Sequence, residues 1–265
     1  MSLQQVYYRV SLGDFVNLPE GWRQGRTIYG GLIAGLMIEK AMINLDDPAK
    51  KLLNANITFV GPVEFAEIRL TAEILRQGKY VTTIEVRVWQ NDVVQSILVA
   101  SFGLSRESVM QVDQAPQAPE YPHPETLTKL PFYEGFTPEF YNQFEMCWAE
   151  GFYPYVGKDK IDFGGWFRFN PSWHQNRAMT LSDFMVMLDI WPAGVYPKLK
   201  MPVPTSTLTW NITFLQPLES DMYDWIKYKM HTDYAGDGYL RESEYLWDQN
   251  DRLIAISRQT LTIFA

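Results

Sequence analysis

From residue 81 to 88 apolar and polar side chains alternate. Ile84, Val86 and Val88 fall on one side, and Thr83, Glu85 and Arg87 on the other. This period of two predicts a strand with one buried face. Val93 to Leu104 reads as a further strand, and the Gln-Gly-Lys stretch at 77–79 and Asn91-Asp92 read as turns. Ahead of them, Leu32, Ile33, Leu36, Met37 and Ala41 recur at helical spacing, while Ala34, Gly35 and Ile38 make the rest of that surface apolar. A helix that is apolar nearly all round is a buried one. The same order returns later. Thr180 to Trp191 predicts a helix with Leu181, Phe184, Met185 and Leu188 on one face, stopped by Pro192. Strands follow at 205–215, 222–231, 239–248 and 252–264, with Gly236-Asp237-Gly238 as a turn.

The two passages share more than their order. Residues 56–64 read Asn-Ile-Thr-Phe-Val-Gly-Pro-Val-Glu, and residues 211–219 read Asn-Ile-Thr-Phe-Leu-Gln-Pro-Leu-Glu, an offset of 211 − 56 = 155. Gln90-Asn91-Asp92 returns as Gln249-Asn250-Asp251, an offset of 249 − 90 = 159. Two ordered matches at nearly equal offset imply one structural unit used twice. Each unit combines a buried helix with an antiparallel sheet, an α+β arrangement. The proline-studded stretch 111–124 reads as a connector. The expected division is an N-terminal copy over 1–110, a connector over 111–135 and a C-terminal copy over 136–265.

Composition narrows the chemistry. The net charge of −8 argues against a nucleic-acid partner. No apolar run approaches the roughly 18 residues of a membrane helix, and no signal peptide is readable, so the expectation is a cytoplasmic protein with no membrane partner. The single cysteine, Cys147, and three scattered histidines predict neither a disulfide framework nor a metal site, and no cofactor is expected. No Ser-His-Asp or Cys-His arrangement is readable.

The remaining motifs carry a resemblance. Ser182-Asp183-Phe184 on the second helix, Thr207 ten residues before Pro217 with Phe214-Leu215-Gln216-Pro217 between, and Gln259 on the last strand are similar to the acyl-CoA thioesterase II family. Gly30-Gly31 before the first helix and Ala100-Ser101-Phe102 add to it. The family often has Gln after the two glycines; here Leu32 follows. The resemblance implies a double hotdog, two tandem copies of an antiparallel sheet wrapped around a long central helix. It also implies an acyl-CoA substrate, thioester hydrolysis in fatty acid metabolism, and a homo-oligomer. The family's hydrolytic residues correspond to Asp183, Thr207 and Gln259, which would activate a water. The helix start at Gly30-Gly31 would bind the substrate and supply oxyanion donors. By the local offsets Thr207 corresponds to Leu52 (207 − 155) and Gln259 to Ala100 (259 − 159), so only the C-terminal copy carries the polar pair.

Other readings stand beside these. Thr180-x-x-Asp183 is also a helix-start pattern. Thr207 lies in a threonine-rich strand, where β-branched residues belong anyway. Gln259 suits a solvent-facing strand position. The Asp-x-x-x-x-His motif of hotdog hydratases is absent, since position 188 is Leu188. A hotdog pair that binds acyl-CoA or lipid without catalysis is the alternative function. The aromatic residues Phe163, Trp166, Phe167, Phe169 and Trp173 could line an acyl tunnel or pack between the copies, and packing is the expectation for most of them.

Overall fold

The computed structural model describes residues 1–264. The N-terminal half runs α1 (Leu3–Leu12), β1 (Phe15–Asn17), a short hairpin of β2 (Arg23–Gln24) and β3 (Thr27–Ile28), and α2 (Gly30–Ile43). Four long strands follow: β4 (Lys51–Phe59), β5 (Glu67–Gln77), β6 (Val81–Gln90) and β7 (Val93–Gly103). The C-terminal half runs β8 (Phe144–Glu150), β9 (Phe163–Phe169), α3 (Leu181–Met187), β10 (Thr205–Phe214), β11 (Ile226–Gly236), β12 (Tyr239–Trp247) and β13 (Leu253–Ile263). The expected α+β double hotdog is what the chain forms.

All long strands join one antiparallel sheet, in the order β1-β5-β6-β7-β4-β10-β13-β12-β11-β9-β8. The two halves meet at β4 and β10, where the repeated motif pairs with itself. Asn56 faces Asn211, and the Asn211 amide donates to Asn56 Oδ1 at 2.6 Å. These two residues are equivalent in the repeat, so a local two-fold axis passes between them. The turns also fit their sequences. Asn91 and Asp92 both have positive φ, as do Asp237 and Gly238, which is the backbone of a tight hairpin turn.

The predicted burial of α2 is borne out: Leu32, Ile33, Leu36, Met37 and Ile38 are all at most 1% exposed. Each such side chain contributes roughly 2 kcal/mol of burial free energy. α2 and α3 cross closely because α2 carries glycines at the crossing. A Cβ on Gly35 would lie 2.4 Å from Val186 Cγ2, and one on Gly31 2.4 Å from the Val186 carbonyl oxygen. Tyr29, the residue before α2, donates its hydroxyl to that same carbonyl at 2.8 Å and stacks on Phe140 with ring centres 4.0 Å apart.

Three features differ from expectation. α1 is an additional helix, built on Leu3, Val6, Tyr7 and Val10 and closed by a Ser2–Gln5 capping box. α3 ends at Met187, four residues before Trp191. Pro192 has no N–H for the Leu188 carbonyl and disfavours helical backbone at Trp191, so the chain unwinds ahead of it. The aromatic cluster packs mostly inside the C-terminal half. Phe163 and Phe167 surround Trp191, which stacks on Tyr228 at 4.7 Å, while Trp173 is exposed.

Candidate active site

Thr207 and Gln259 come together. β10 and β13 pair antiparallel, and a register shift between Thr207 and Thr209 breaks the alternation of β10. A bulge of this kind re-aims a side chain, and Thr207 Oγ1 donates to Gln259 Oε1 at 2.9 Å. The bulge is inherited from the duplication: β4 shifts register between Leu52 and Asn54, each 155 residues earlier. The N-terminal half places Leu52 and Ala100, both buried, at these two positions.

Asp183 is held elsewhere. It is wholly buried in the first turn of α3, where Arg177 grips it at 2.6 and 2.9 Å. The Thr180 backbone N–H and hydroxyl also donate to it, at 2.9 and 2.7 Å. Thr180 and Asp183 form a reciprocal capping box. Neither Thr207 nor Gln259 is among the partners of this carboxylate.

The carboxylate beside Gln259 is Asp189, just past the end of α3. Asp183 lies in the first turn of α3 and Asp189 two residues beyond its end, so the two carboxylates face different surroundings. Gln259 Nε2 donates to Asp189 Oδ1 at 3.4 Å. Asp189 also meets the start of α2: a Cβ on Gly30 would lie 2.8 Å from Asp189 Oδ2. Glycine is required there for the approach. α2 has no side-chain cap of its own, and its N-terminus carries the positive end of the helix dipole. The Asp189 carboxyl lies deep among protein atoms, although the residue keeps part of its surface open. Burial and the nearby Glu244 push its pKa up to about 7, with Gln259 and the Gly31 backbone N–H pulling the other way. The sequence signal for Asp189 was a lone carboxylate in the apolar run Met187-Leu188-Asp189-Ile190-Trp191-Pro192.

Two further carboxylates lie behind Gln259. Glu242 and Glu244 occupy inward positions of β12, each 3% exposed, and burial raises the pKa of both. Glu242 accepts from the Gly194 backbone N–H at 2.9 Å. Strand alternation gave the signal, since Leu240 and Leu246 on the same face are core residues.

The other candidates for chemistry are quiet. Burial pushes the Cys147 thiol up to about 11, away from the reactive thiolate form. Burial holds His174 down at about 4. No group of three or more His, Cys, Asp and Glu among the described residues is arranged to hold a metal. Clefts of about 470 and 490 Å³ open beside Arg177 and on the sheet face around Arg241 and Arg258. Neither is lined by Asp189 or Thr207.

Comparison with known proteins supplies a family. Residues 117–263 match the acyl-CoA thioesterase C-terminal domain, and residues 18–103 match the acyl-CoA thioesterase N-terminal domain. The chain belongs to the acyl-CoA thioesterase family. Solved structures agree on the fold. A protein of unknown function with a hot dog fold from Alicyclobacillus acidocaldarius superposes with a TM-score of 0.81 at 20% identity, covering 95% of this chain and 92% of that one. The tesB protein of Mycobacterium avium subspecies paratuberculosis gives 0.77 at 16% identity, covering both chains fully. An acyl-CoA thioesterase II from Mycobacterium marinum gives 0.69 at 18% identity, covering 88% of each. No curated protein matches the sequence. Among the described residues of this thioesterase-family chain, no helix is long and apolar enough to cross a membrane.

Proposed function

We propose that the protein hydrolyses an acyl-CoA thioester to the free acid and CoA, with Asp189, Thr207 and Gln259 as the hydrolytic residues. Asp189 takes the part that the sequence resemblance gave to Asp183. The observation that carries this reading is the Gln259 carboxamide, which joins the Thr207 hydroxyl to the Asp189 carboxylate beside the start of α2.

The hydrogen-bond directions define the chemistry. Thr207 donates its proton to Gln259, so its oxygen lone pairs remain free to accept one O–H of a water. Asp189 accepts the other. The water oxygen attacks the thioester carbonyl carbon as Asp189 takes its proton. Backbone N–H groups at the α2 N-terminus, at Gly30-Gly31, stabilise the oxyanion that develops. Collapse of the tetrahedral species breaks the C–S bond. The proton on Asp189 then passes to the departing CoA thiolate, which restores the base.

A base near pKa 7 is well matched to neutral pH. Asp189 acts only when ionised, so kcat/KM falls as the pH drops through about 7. The test is release of free thiol from acetyl-, butyryl-, octanoyl-, lauroyl- and benzoyl-CoA. Asp189→Asn should lower turnover of the best substrate by about 10² to 10⁴, the usual contribution of a general base, and leave the fold intact. Tight binding of these esters without release from any of them would favour a non-catalytic binding protein instead.

A further inference from the structure

We propose that Glu244 is a positioning residue of this hydrolytic site, one that fixes which way the Gln259 carboxamide faces. The inference rests on the hydrolytic reading above and adds a residue to it.

A carboxamide is nearly symmetric in shape, so something must choose its direction. Here the choice traces back to an indole. Trp210 Nε1 only donates, and it donates to Ser257 Oγ at 2.7 Å. The Ser257 hydroxyl proton is then left for Glu244 Oε2, to which it donates in a short hydrogen bond. Glu244 Oε1 accepts from the Tyr228 hydroxyl at 3.2 Å and from Gln259 Nε2 at 3.3 Å. An acceptor facing Gln259 requires its nitrogen on that side. The second Nε2 proton then reaches Asp189, and Oε1 is left for the Thr207 hydroxyl. Each donor and acceptor from Trp210 to Thr207 is thereby assigned. With the amide reversed, an oxygen would face two carboxylates.

The N-terminal half shows what this position needs when no site is present. Glu244 pairs with Ser257 across β12 and β13, and Glu242 pairs with Gln259. The equivalent pairs on β6 and β7 are Val86 with Leu98 and Ile84 with Ala100, all buried. The fold is satisfied by aliphatic side chains there. A carboxyl group buried in the same place, hydrogen-bonded to Ser257, Tyr228 and Gln259 with Glu242 and Asp189 nearby, has no packing reason. Burial holds Glu244 near 7, so it is ionised, and purely an acceptor, at mildly alkaline pH. The titratable groups around it are Glu242 on its own strand, Tyr228 on β11, Asp189 after α3 and Tyr29 before α2.

Glu244→Gln tests the idea because it preserves shape. Ser257 still requires an oxygen, so the new amide presents its nitrogen to Gln259 and reverses it. With the fastest acyl-CoA of the panel, kcat should fall at least ten-fold with KM within two-fold of wild type and melting temperature maintained. Thr207→Val should lower kcat in the wild-type background and add nothing to Glu244→Gln. A kcat for Glu244→Gln within two-fold of wild type, or losses that multiply in the double variant, overturns the proposal. The side-chain amide NMR signals of ¹⁵N-labelled Gln259 read the reversal without turnover; they should move in Glu244→Gln, and unchanged signals also overturn it. Asp189→Asn leaves the chain from Trp210 to Thr207 intact and reports on the hydrolytic reading alone.

Discussion

The two halves share a strand order, a bulge and a self-pairing motif, yet they treat their interiors differently. At five matched positions the N-terminal half buries Leu52, Ile84, Val86, Leu98 and Ala100. The C-terminal half carries Thr207, Glu242, Glu244, Ser257 and Gln259. Their helices differ as well: α2 runs for 14 residues and is apolar apart from Glu39 and Lys40 near its end, whereas α3 runs for 7, carries Asp183 and gives way to Asp189. At these positions one half is an aliphatic scaffold that contributes a helix N-terminus. The other bears buried polar groups there, whose desolvation the shared core must offset. Duplication makes this separation possible, because one copy can carry aliphatic packing at the positions where the other carries polar groups.

Making the C-terminal half resemble its partner is the most severe way to break that contrast. The double replacement Thr207→Leu and Gln259→Ala installs the residues of the N-terminal half. Activity should drop by roughly 10² or more, since the groups that orient the water are gone. The melting temperature should hold or rise. Activity close to wild type in this variant would end the catalytic meaning of the asymmetry.

A second variant separates the two aspartates. Asp183→Ala removes the carboxylate half of the Thr180–Asp183 capping box and leaves Arg177 without its carboxylate. Denaturant unfolding should show a loss of about 2–4 kcal/mol, from the cap and the broken ion pair together. Turnover per folded molecule should stay near wild type. If turnover instead falls as far as in Asp189→Asn, Asp183 regains the role its sequence motif suggested.

The smallest effect concerns pH. Asp189 and Glu244 are both raised to about 7 in the folded protein, from ordinary values of 3.8 and 4.5. Between these limits the folded state holds more protons than the unfolded one, so stability falls as the pH rises through about 7. His174 works the other way, because its folded value of about 4 lies below its ordinary 6.5, but most of its effect comes at lower pH. From pH 6.5 to 8 the net loss should be on the order of 1 kcal/mol. The loss should shrink in Glu244→Val, which carries the aliphatic residue of the N-terminal half. A flat profile in the wild type would show that the two carboxyls titrate normally.

Much of this was legible in the chain itself. Alternation located β6, the strands expected at 205–215, 222–231, 239–248 and 252–264 match β10–β13 to within a few residues at most ends, and near all-round apolarity located α2. The N-terminal helix was equally readable in Leu3, Val6, Tyr7 and Val10, and its capping box begins at Ser2. Thr180-x-x-Asp183 contained both its readings, and the helix-start reading is the one visible in the hydrogen bonds. Asp189 was harder. A motif of three adjacent residues drew attention to Asp183, while Asp189 had no motif around it.

The sequence by itself determined the duplication, the helix-then-strands order of each copy and the unequal distribution of polar residues between them. These are periodic or comparative properties, and periodicity follows from backbone geometry within one element. Only the tertiary structure decided which aspartate meets Gln259. That depends on where α3 unwinds before Pro192, on how closely Gly31 and Gly35 let α2 approach, and on the bulge that turns Thr207 inward. The last two depend on residues far apart in the chain, and such contacts leave no local period to read.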